Sequence, residues 1–327
     1  MGRRHVQVLQ NLGHDVQGIF DPSPDAVATS LKENALAPAA AFRRVEDMLR
    51  QVRPDLVVVA STAPSHCEYV CMAAAAGVRY VLCEKPMAVS LAECDRMIEA
   101  CAQSGSMLGV NHQMRFMEQY TFVKQLAVSA AFDGLRSIVL AAGNFGLAMN
   151  GSHYFEMLRF MADDEIASVS SWLDSTIVPN PRGPQYQDRS GQLRAVTDSG
   201  VRLYMDVGGD QGHGIQLIYN CRLGQIFVDE ISGYTRFVHR ESAYADLPTT
   251  RYGMPAVETI RSIAPTDVIG PTESMWRAMI SGESFPDGAA GRHVVAALVA
   301  AHLSGEAGGK AATLDEALPR DRVFPWA

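Results

Sequence analysis

Residues 1–130 alternate short β-branched runs with helical stretches, and that alternation confines the chain to a parallel sheet covered by helices. The run Leu56-Val57-Val58-Val59-Ala60 after Asp55 is apolar throughout, as a strand must be when both faces are covered. Asp15 to Phe20 reads as a preceding strand and Pro24 to Asn34 as a helix. Pro64 to Ala76 reads as the next helix, with Gly77 as its stop. Val78 to Cys83, Leu91 to Gln103 and Met107 to Val110 continue the pattern as strand, helix and strand, which makes a doubly wound α/β unit.

Beyond residue 135 the period changes. Val201, Leu203, Met205 and Val207 alternate with Arg202, Tyr204 and Asp206, the signature of an antiparallel strand with one wet face. Further strands are expected at Gly214 to Asn220, Gln225 to Ile231 and Tyr234 to His239, separated by Gly-containing turns. Val178 to Gly191 reads as a loop, Leu247 to Pro271 as irregular, and Gly288 to Ser304 as a helix. The expected architecture is an α/β Rossmann domain over residues 1–114 and an α+β domain with an open, mainly antiparallel sheet over 115–327, the C-terminal segment returning to the first domain.

The 327 residues are enough for about two domains with real cores. Acidic residues outnumber basic ones by 36 to 28, the wrong sign for neutralising a phosphate backbone, so nucleic-acid binding is disfavoured. No apolar stretch approaches the roughly 18 residues of a membrane span, and Met1-Gly2-Arg3-Arg4-His5 leads into no signal-like apolar run. Six scattered cysteines without Cys-x-x-Cys or paired Cys/His spacing read as reduced core thiols of a cytoplasmic protein, with no metal site.

A dinucleotide-binding unit needs a strand, a Gly-x-Gly-x-x-Gly turn, a helix aimed at the diphosphate, and an acidic residue for the ribose hydroxyls about 20 positions on. Gly2 stands where the third glycine falls, Arg3 to Leu12 reads as the helix, Gly13 ends it, and Asp21 lies at the end of the following strand. Taken alone, these pieces equally describe an N-terminal helix followed by a strand and a turn aspartate.

The ordering of Gly2-Arg3-Arg4-His5, Asp21, Asp55 to Ser61 with Pro64 and His66, Glu84-Lys85-Pro86, Asn111 to Phe116 and Gly151-Ser152-His153 resembles the glucose-fructose oxidoreductase/inositol dehydrogenase (Gfo/Idh/MocA) family. The resemblance spans nearly the whole chain, and Glu84-Lys85-Pro86 directly after a strand is its most specific mark. It implies an NAD-dependent dehydrogenase, NADP being the poorer fit, acting on a secondary alcohol of a sugar, inositol or related polyol, and assembled as a homodimer or homotetramer through its open sheet. A non-catalytic dinucleotide- or sugar-binding sensor on the same scaffold is the alternative. Family members carry a further stretch in front of Gly2 that supplies the central strand and first two glycines, and the chain is expected to start inside that motif. Many members also carry an aspartate four residues before the active-site histidine, where this chain has Met149, with Asn150 beside it.

By that resemblance Lys85 and His153 are the catalytic pair. Burial beside an oxidised nicotinamide disfavours an ammonium and is expected to lower the Lys85 pKa, which leaves Lys85 to polarise the alcohol oxygen or to accept a proton. A helix N-terminus disfavours an imidazolium, which suits His153, with Asn150 or Ser152 as cap, to accept the hydroxyl proton. Gly2, Arg3, Asp21, Ser61, Thr62, His66, Glu84 and Asn111 are the expected cofactor contacts, Asp21 favouring NAD because a carboxylate repels a 2′-phosphate. Ser61 or Thr62 equally reads as a helix cap with Pro64 in the first turn. Arg115, Asn150, Lys85 and His153 are the expected substrate contacts, with Arg115 equally readable as an ion-pair residue and Arg182 and Tyr186 as loop candidates.

Overall fold

The computed structural model describes residues 1–249 and 251–327. It divides into two units, Met1–Phe116 with Asp267–Val295 and Pro319–Ala327, and Met117–Thr266 with Ala296–Leu318.

The first unit starts with helix α1 (Gly2–Asn11), which buries His5, Val6 and Val8. Gly13, at φ +80°, takes the left-handed conformation that turns the chain back after it. Helix α2 (Pro24–Glu33) is capped by Ser23, whose hydroxyl accepts from the Ala26 amide at 3.3 Å, with Pro24 in its first turn. After α3 (Val45–Val52) come β1 (Leu56–Val59), α4 (Ala63–Ala75), β2 (Tyr80–Cys83), α5 (Leu91–Ser104) and β3 (Met107–Val110). Ser90 caps α5 by accepting the Glu93 amide at 3.2 Å while the Glu93 carboxylate accepts Val89 N–H at 3.2 Å, a variant of the reciprocal capping box. The strands form a parallel sheet in the order β1-β2-β3, with Val57, Val81 and Leu108 in register.

Asp15 to Phe20 does not form the expected strand: only Ile19 bridges, to Ala41, through Ile19 N–H to Ala40 O at 2.8 Å and Phe42 N–H to Ile19 O at 3.0 Å. The other side of this segment faces a cavity of about 1010 Å³, lined by Val16, Gly18 and Phe20 on one wall and Leu56, Val57 and Val58 on the other. Because β1 is an edge strand, neither wall has a ladder partner across that cavity among the described residues, and the segment extends no further than a bridge. Later in the chain, helix α8 (Ile269–Ser281) brings Met275, Trp276 and Met279 onto Val8, Tyr80 and Leu82. A Cβ on Gly109 of β3 would lie 2.6 Å from Met279 Sδ, so this helix packs where the strand has no side chain.

The second unit contains α6 (Glu118–Ala127), β4 (Leu135–Gly143), α7 (Ser152–Ala162) and β5 (Ile166–Val178). These are followed by β6 (Asp188–Thr197), β7 (Arg202–Gly208), β8 (Gln216–Cys221), β9 (Gly224–Asp229), β10 (Tyr234–Arg240) and β11 (Ala256–Ser262). Helix α9 (Gly288–Glu306) contributes its first half to the first unit and its second half to this one, and β12 (Ala312–Thr313) completes the sheet. The nine strands run β11-β10-β9-β8-β4-β7-β6-β5-β12, every pairing antiparallel except β4 with β7. Burial alternates along β7, where Leu203, Met205 and Val207 are buried between more exposed neighbours. The Ser171 amide donates to Ser304 Oγ at 2.8 Å, and the Ser171 hydroxyl donates to Ala301 O, tying α9 to the inner face of β5.

Two expected irregular stretches contain strand. Val178 closes β5 and Asp188 opens β6, so the loop shrinks to 179–187 despite its prolines and glycines. Gly191 lies inside β6 at φ +133°, and a Cβ there would fall 2.4 Å from Trp172 O, so it belongs to a close strand approach rather than a turn. Within Leu247 to Pro271, β11 pairs with β10 over seven residues although every one is exposed, which removes the burial alternation that marks a strand in sequence. Among the described residues no helix is long and apolar enough to cross a membrane.

Candidate functional site

In the first unit the chemistry gathers where the strands end. Glu84, one residue past β2, is almost fully buried, and its Oε1 accepts from His5 Nε2 at 2.7 Å and from Asn111 Nδ2 at 2.9 Å. Its Oε2 accepts the backbone N–H of Lys85 at 3.3 Å. Burial opposes ionisation, but the hydrogen bond and charge of His5, the Asn111 amide and the Lys85 charge prevail, holding the carboxyl well below the usual carboxylate range. Lys85 is half-buried, and the Lys85–Pro86 peptide bond is cis.

His66 joins the two neighbouring strand ends. Its Nδ1 lies 3.1 Å from Pro86 O and 3.3 Å from Met87 O, and its Nε2 lies 3.2 Å from Ser61 O. Burial pushes its pKa down against these carbonyls, so the ring is neutral and donates through one nitrogen at a time. The side chain thus braces the loop after β1 against the segment that carries Lys85. Thr62 is the N-cap residue of α4 with Pro64 in the first turn, and Ser65 Oγ donates to Thr62 O at 2.9 Å while lying 2.8 Å from Ser61 Oγ.

Gly2, Arg3, Asp21 and Ser61 line the 1010 Å³ cavity, whereas Thr62, His66, Glu84 and Asn111 do not. A Cβ on Gly2 would meet nothing within 4 Å, so nothing crowds the side-chain position in the first turn of α1. Arg3 donates to Glu33 at 2.5 Å on the surface, and Asp21 accepts the Ser23 amide at 2.8 Å with its carboxylate exposed. Arg115 is half-buried in the short turn Gln113–Phe116 beyond β3.

In the second unit His153 is half-buried in the first turn of α7. The expected capping by Asn150 or Ser152 is absent: neither side chain caps the helix, because a π-helical turn, Leu147–Gly151, runs directly into it. The free amides at the start of that turn are taken from outside the helix by Asp188, whose oxygens accept Ala148 N–H and Met149 N–H, each at 2.8 Å. A Cβ on Gly146 would lie 2.2 Å from the Asp188 carboxyl carbon, so glycine is required there. A carboxylate on β6 therefore holds the backbone at Met149, immediately before Asn150. Met149, Asn150 and Asp188 line a cleft of about 440 Å³ with Asn144 and Asn180, while Arg182 and Tyr186 are not among its walls.

Behind α7, Glu230 is buried at the end of β9 and accepts from Tyr154 OH at 2.7 Å and from Tyr120 OH. Burial pushes the Glu230 carboxyl up to about 7, against the pull of the two phenol hydrogen bonds. The folded pKa exceeds the unfolded one, so the stability this group contributes is full below about pH 4.5 and is lost as pH rises to about 7. That loss is worth about 3 kcal/mol. Glu230→Gln is expected to remove most of that slope, seen as a flatter urea-unfolding stability between about pH 5 and about pH 8. An unchanged slope would place the titrating group elsewhere.

Asp188 and Glu230 were not marked by any spacing in the sequence, and His5 was marked only as part of the Gly2-Arg3-Arg4-His5 string, with no role of its own. His5 carried a faint signal, since it sits beside Val6 and Val8 on the core-facing side of an amphipathic helix.

Inositol 2-dehydrogenase of Serratia proteamaculans (strain 568) is 27% identical over 337 aligned positions, covering 94% of this chain and 92% of that protein. Among solved structures, an oxidoreductase from Agrobacterium radiobacter in complex with NAD+, L-tartaric acid and magnesium is similar with a TM-score of 0.80 at 18% identity, covering 96% of this chain and 95% of that one. An inositol dehydrogenase homolog from Azotobacter vinelandii complexed with NADH and myo-inositol has a TM-score of 0.72 at 15% identity, covering 91% and 89%. Residues 1–112 match the family described as oxidoreductase family, NAD-binding Rossmann fold. With the parallel sheet, the buried Glu84 beside Lys85 and a relative aligned over nearly its full length, the chain is similar to the GFO_IDH_MocA oxidoreductase family, whose model matches its residues 1–112.

Proposed function

We propose that the protein is an NAD-dependent oxidoreductase that transfers a hydride between nicotinamide and a secondary alcohol carbon of a sugar, inositol or related polyol. The observation that carries this reading is Lys85, held half-buried at the carboxyl end of β2 by the ionised, buried Glu84, where ligands of open α/β sheets bind. The chain fits a dinucleotide at the start of α1, where nothing crowds the side-chain position of Gly2, the first turn carries no acidic side chain, and Asp21 presents an exposed carboxylate along the same cavity.

Gly2 and Arg3 would face the diphosphate with backbone amides, and Asp21 would accept hydrogen bonds from the ribose hydroxyls. Ser61, Thr62, His66, Glu84 and Asn111 would form or brace the adjoining wall. When bound, the nicotinamide supplies the hydride acceptor. Lys85 orients and polarises the alcohol oxygen, His153 takes the hydroxyl proton, and Arg115 and Asn150 hold neighbouring hydroxyls.

A panel of myo-inositol, aldoses and anhydrosugars read at the NADH absorbance band tests the proposal. At least one polyol is expected to be oxidised, with NADP roughly tenfold less effective because of Asp21. Tight NAD binding with silence across the panel would replace this reading by the non-catalytic sensor.

A further inference from the structure

Helix α1 carries its uncrowded N-terminal turn at one end and, in the next turn on its buried side, His5. His5 reaches out of the helix to a single polar partner: Nε2 meets Glu84 at 2.7 Å, while Nδ1 is buried with no partner among the described residues. Glu84 in turn has one oxygen on His5 and Asn111 and the other on the Lys85 amide. Both side chains are about 3% exposed, so no water competes for the bond and the low local dielectric strengthens it. A shift of α1 therefore passes through the short charge-assisted His5–Glu84 bond, and then through the 3.3 Å bond from the Lys85 amide to the other Glu84 oxygen, to the backbone of Lys85.

We propose that His5 is a positioning residue that couples occupation of the α1 N-terminus by the cofactor's diphosphate to the placement of Lys85. The coupling rests on the dinucleotide reading given above. It gives a cofactor group distant from the reacting carbon a way to bias the lysine, and by linkage the placement of Lys85 biases dinucleotide affinity by the same factor.

ADP-ribose tests this, because it carries the diphosphate and both riboses but no nicotinamide to touch Lys85. Lys85 is one of only four lysines in the chain, so its acetylation by an N-hydroxysuccinimide ester is followed site by site in a peptide mass spectrum. Saturating ADP-ribose is expected to change the Lys85 acetylation rate at least threefold in the unmodified protein while Lys124 and Lys310 serve as internal controls. His5→Gln, whose amide donates from nearly the same place as Nε2, is expected to keep that change. His5→Ala is expected to lose it at saturation. If His5→Ala unfolds because Glu84 is left as an under-compensated buried charge, His5→Ala with Glu84→Gln removes the charge and is expected to show no change either. An undiminished change in either alanine variant, or none in the unmodified protein despite bound ADP-ribose, overturns the coupling alone. Absence of ADP-ribose binding by the unmodified protein overturns the dinucleotide reading together with it.

Discussion

Lys85→Met is expected to lower kcat by about 10³-fold, equivalent to about 4 kcal/mol of transition-state stabilisation, while leaving NAD affinity within a few-fold of normal. Methionine keeps most of the volume and the apolar stem of lysine, and the Lys85 amide still donates to Glu84, so the segment stays in place. What disappears is the side-chain nitrogen that would orient and polarise the alcohol oxygen. His153→Asn, which keeps a polar side chain but no basic nitrogen, is expected to cost about 10²-fold to 10⁴-fold, and to flatten the neutral limb of the pH–rate profile. Steady-state kinetics with the best substrate from the polyol panel measure both. Turnover within tenfold of normal in either variant would remove that residue from the chemistry.

The second large effect concerns the cavity between residues 16–20 and β1. Leu56, Val57, Val58 and Phe20 line it, and their burial by a new strand is worth roughly 1.5 to 3 kcal/mol gross per side chain, partly offset by about 1 to 2 kcal/mol for each backbone residue that becomes ordered. The ladder hydrogen bonds gained with β1 add to that burial, and each net gain of about 2 kcal/mol corresponds to a rise in Tm of about 5 °C for a domain of this size. A chain carrying, ahead of Met1, an extended β-branched segment that runs through a Gly-x-Gly turn into α1 is therefore expected to be more stable. It is also expected to bind NAD more than about tenfold tighter, because pairing with β1 fixes α1 and its first turn against the sheet. The same segment interrupted by two prolines cannot complete the ladder and serves as the control. Differential scanning calorimetry and isothermal titration read the two effects. Equal affinity for NAD in the paired and proline-interrupted versions would show that the cavity does not limit cofactor binding.

Much of the first unit was legible because its signals are local. The apolar run at Val57, Val58 and Val59 marks a strand covered on both faces, Pro64 marks a helix start, and Gly13 and Gly77 stop helices at positive φ. The segment Asp15 to Phe20 failed for a non-local reason, since its composition suits a strand but its far side faces a cavity instead of a partner. β11 and the start of β6 were missed for the opposite reason, because pairing alone sustains strands whose side chains carry no burial pattern or sit among turn formers.

For the candidate site, Lys85, Glu84 and His153 could be picked out through the family resemblance of Glu84-Lys85-Pro86 and Gly151-Ser152-His153, and Asp21 through its place about 20 residues after Gly2. The sequence by itself determined the alternation of elements, the helix boundaries set by Ser, Pro and Gly, and the identity of those chemical groups, all properties of neighbours along the chain. Only the tertiary structure decided that His5 grips Glu84 across 79 residues of sequence, that Asp188 rather than Asn150 or Ser152 holds the amides ahead of His153, and that Glu230 is buried between two tyrosines. The physical reason is that a buried carboxylate takes whatever donors the packed elements bring to it, and desolvation makes those few bonds compulsory, whereas no spacing in the chain encodes which distant element will supply them.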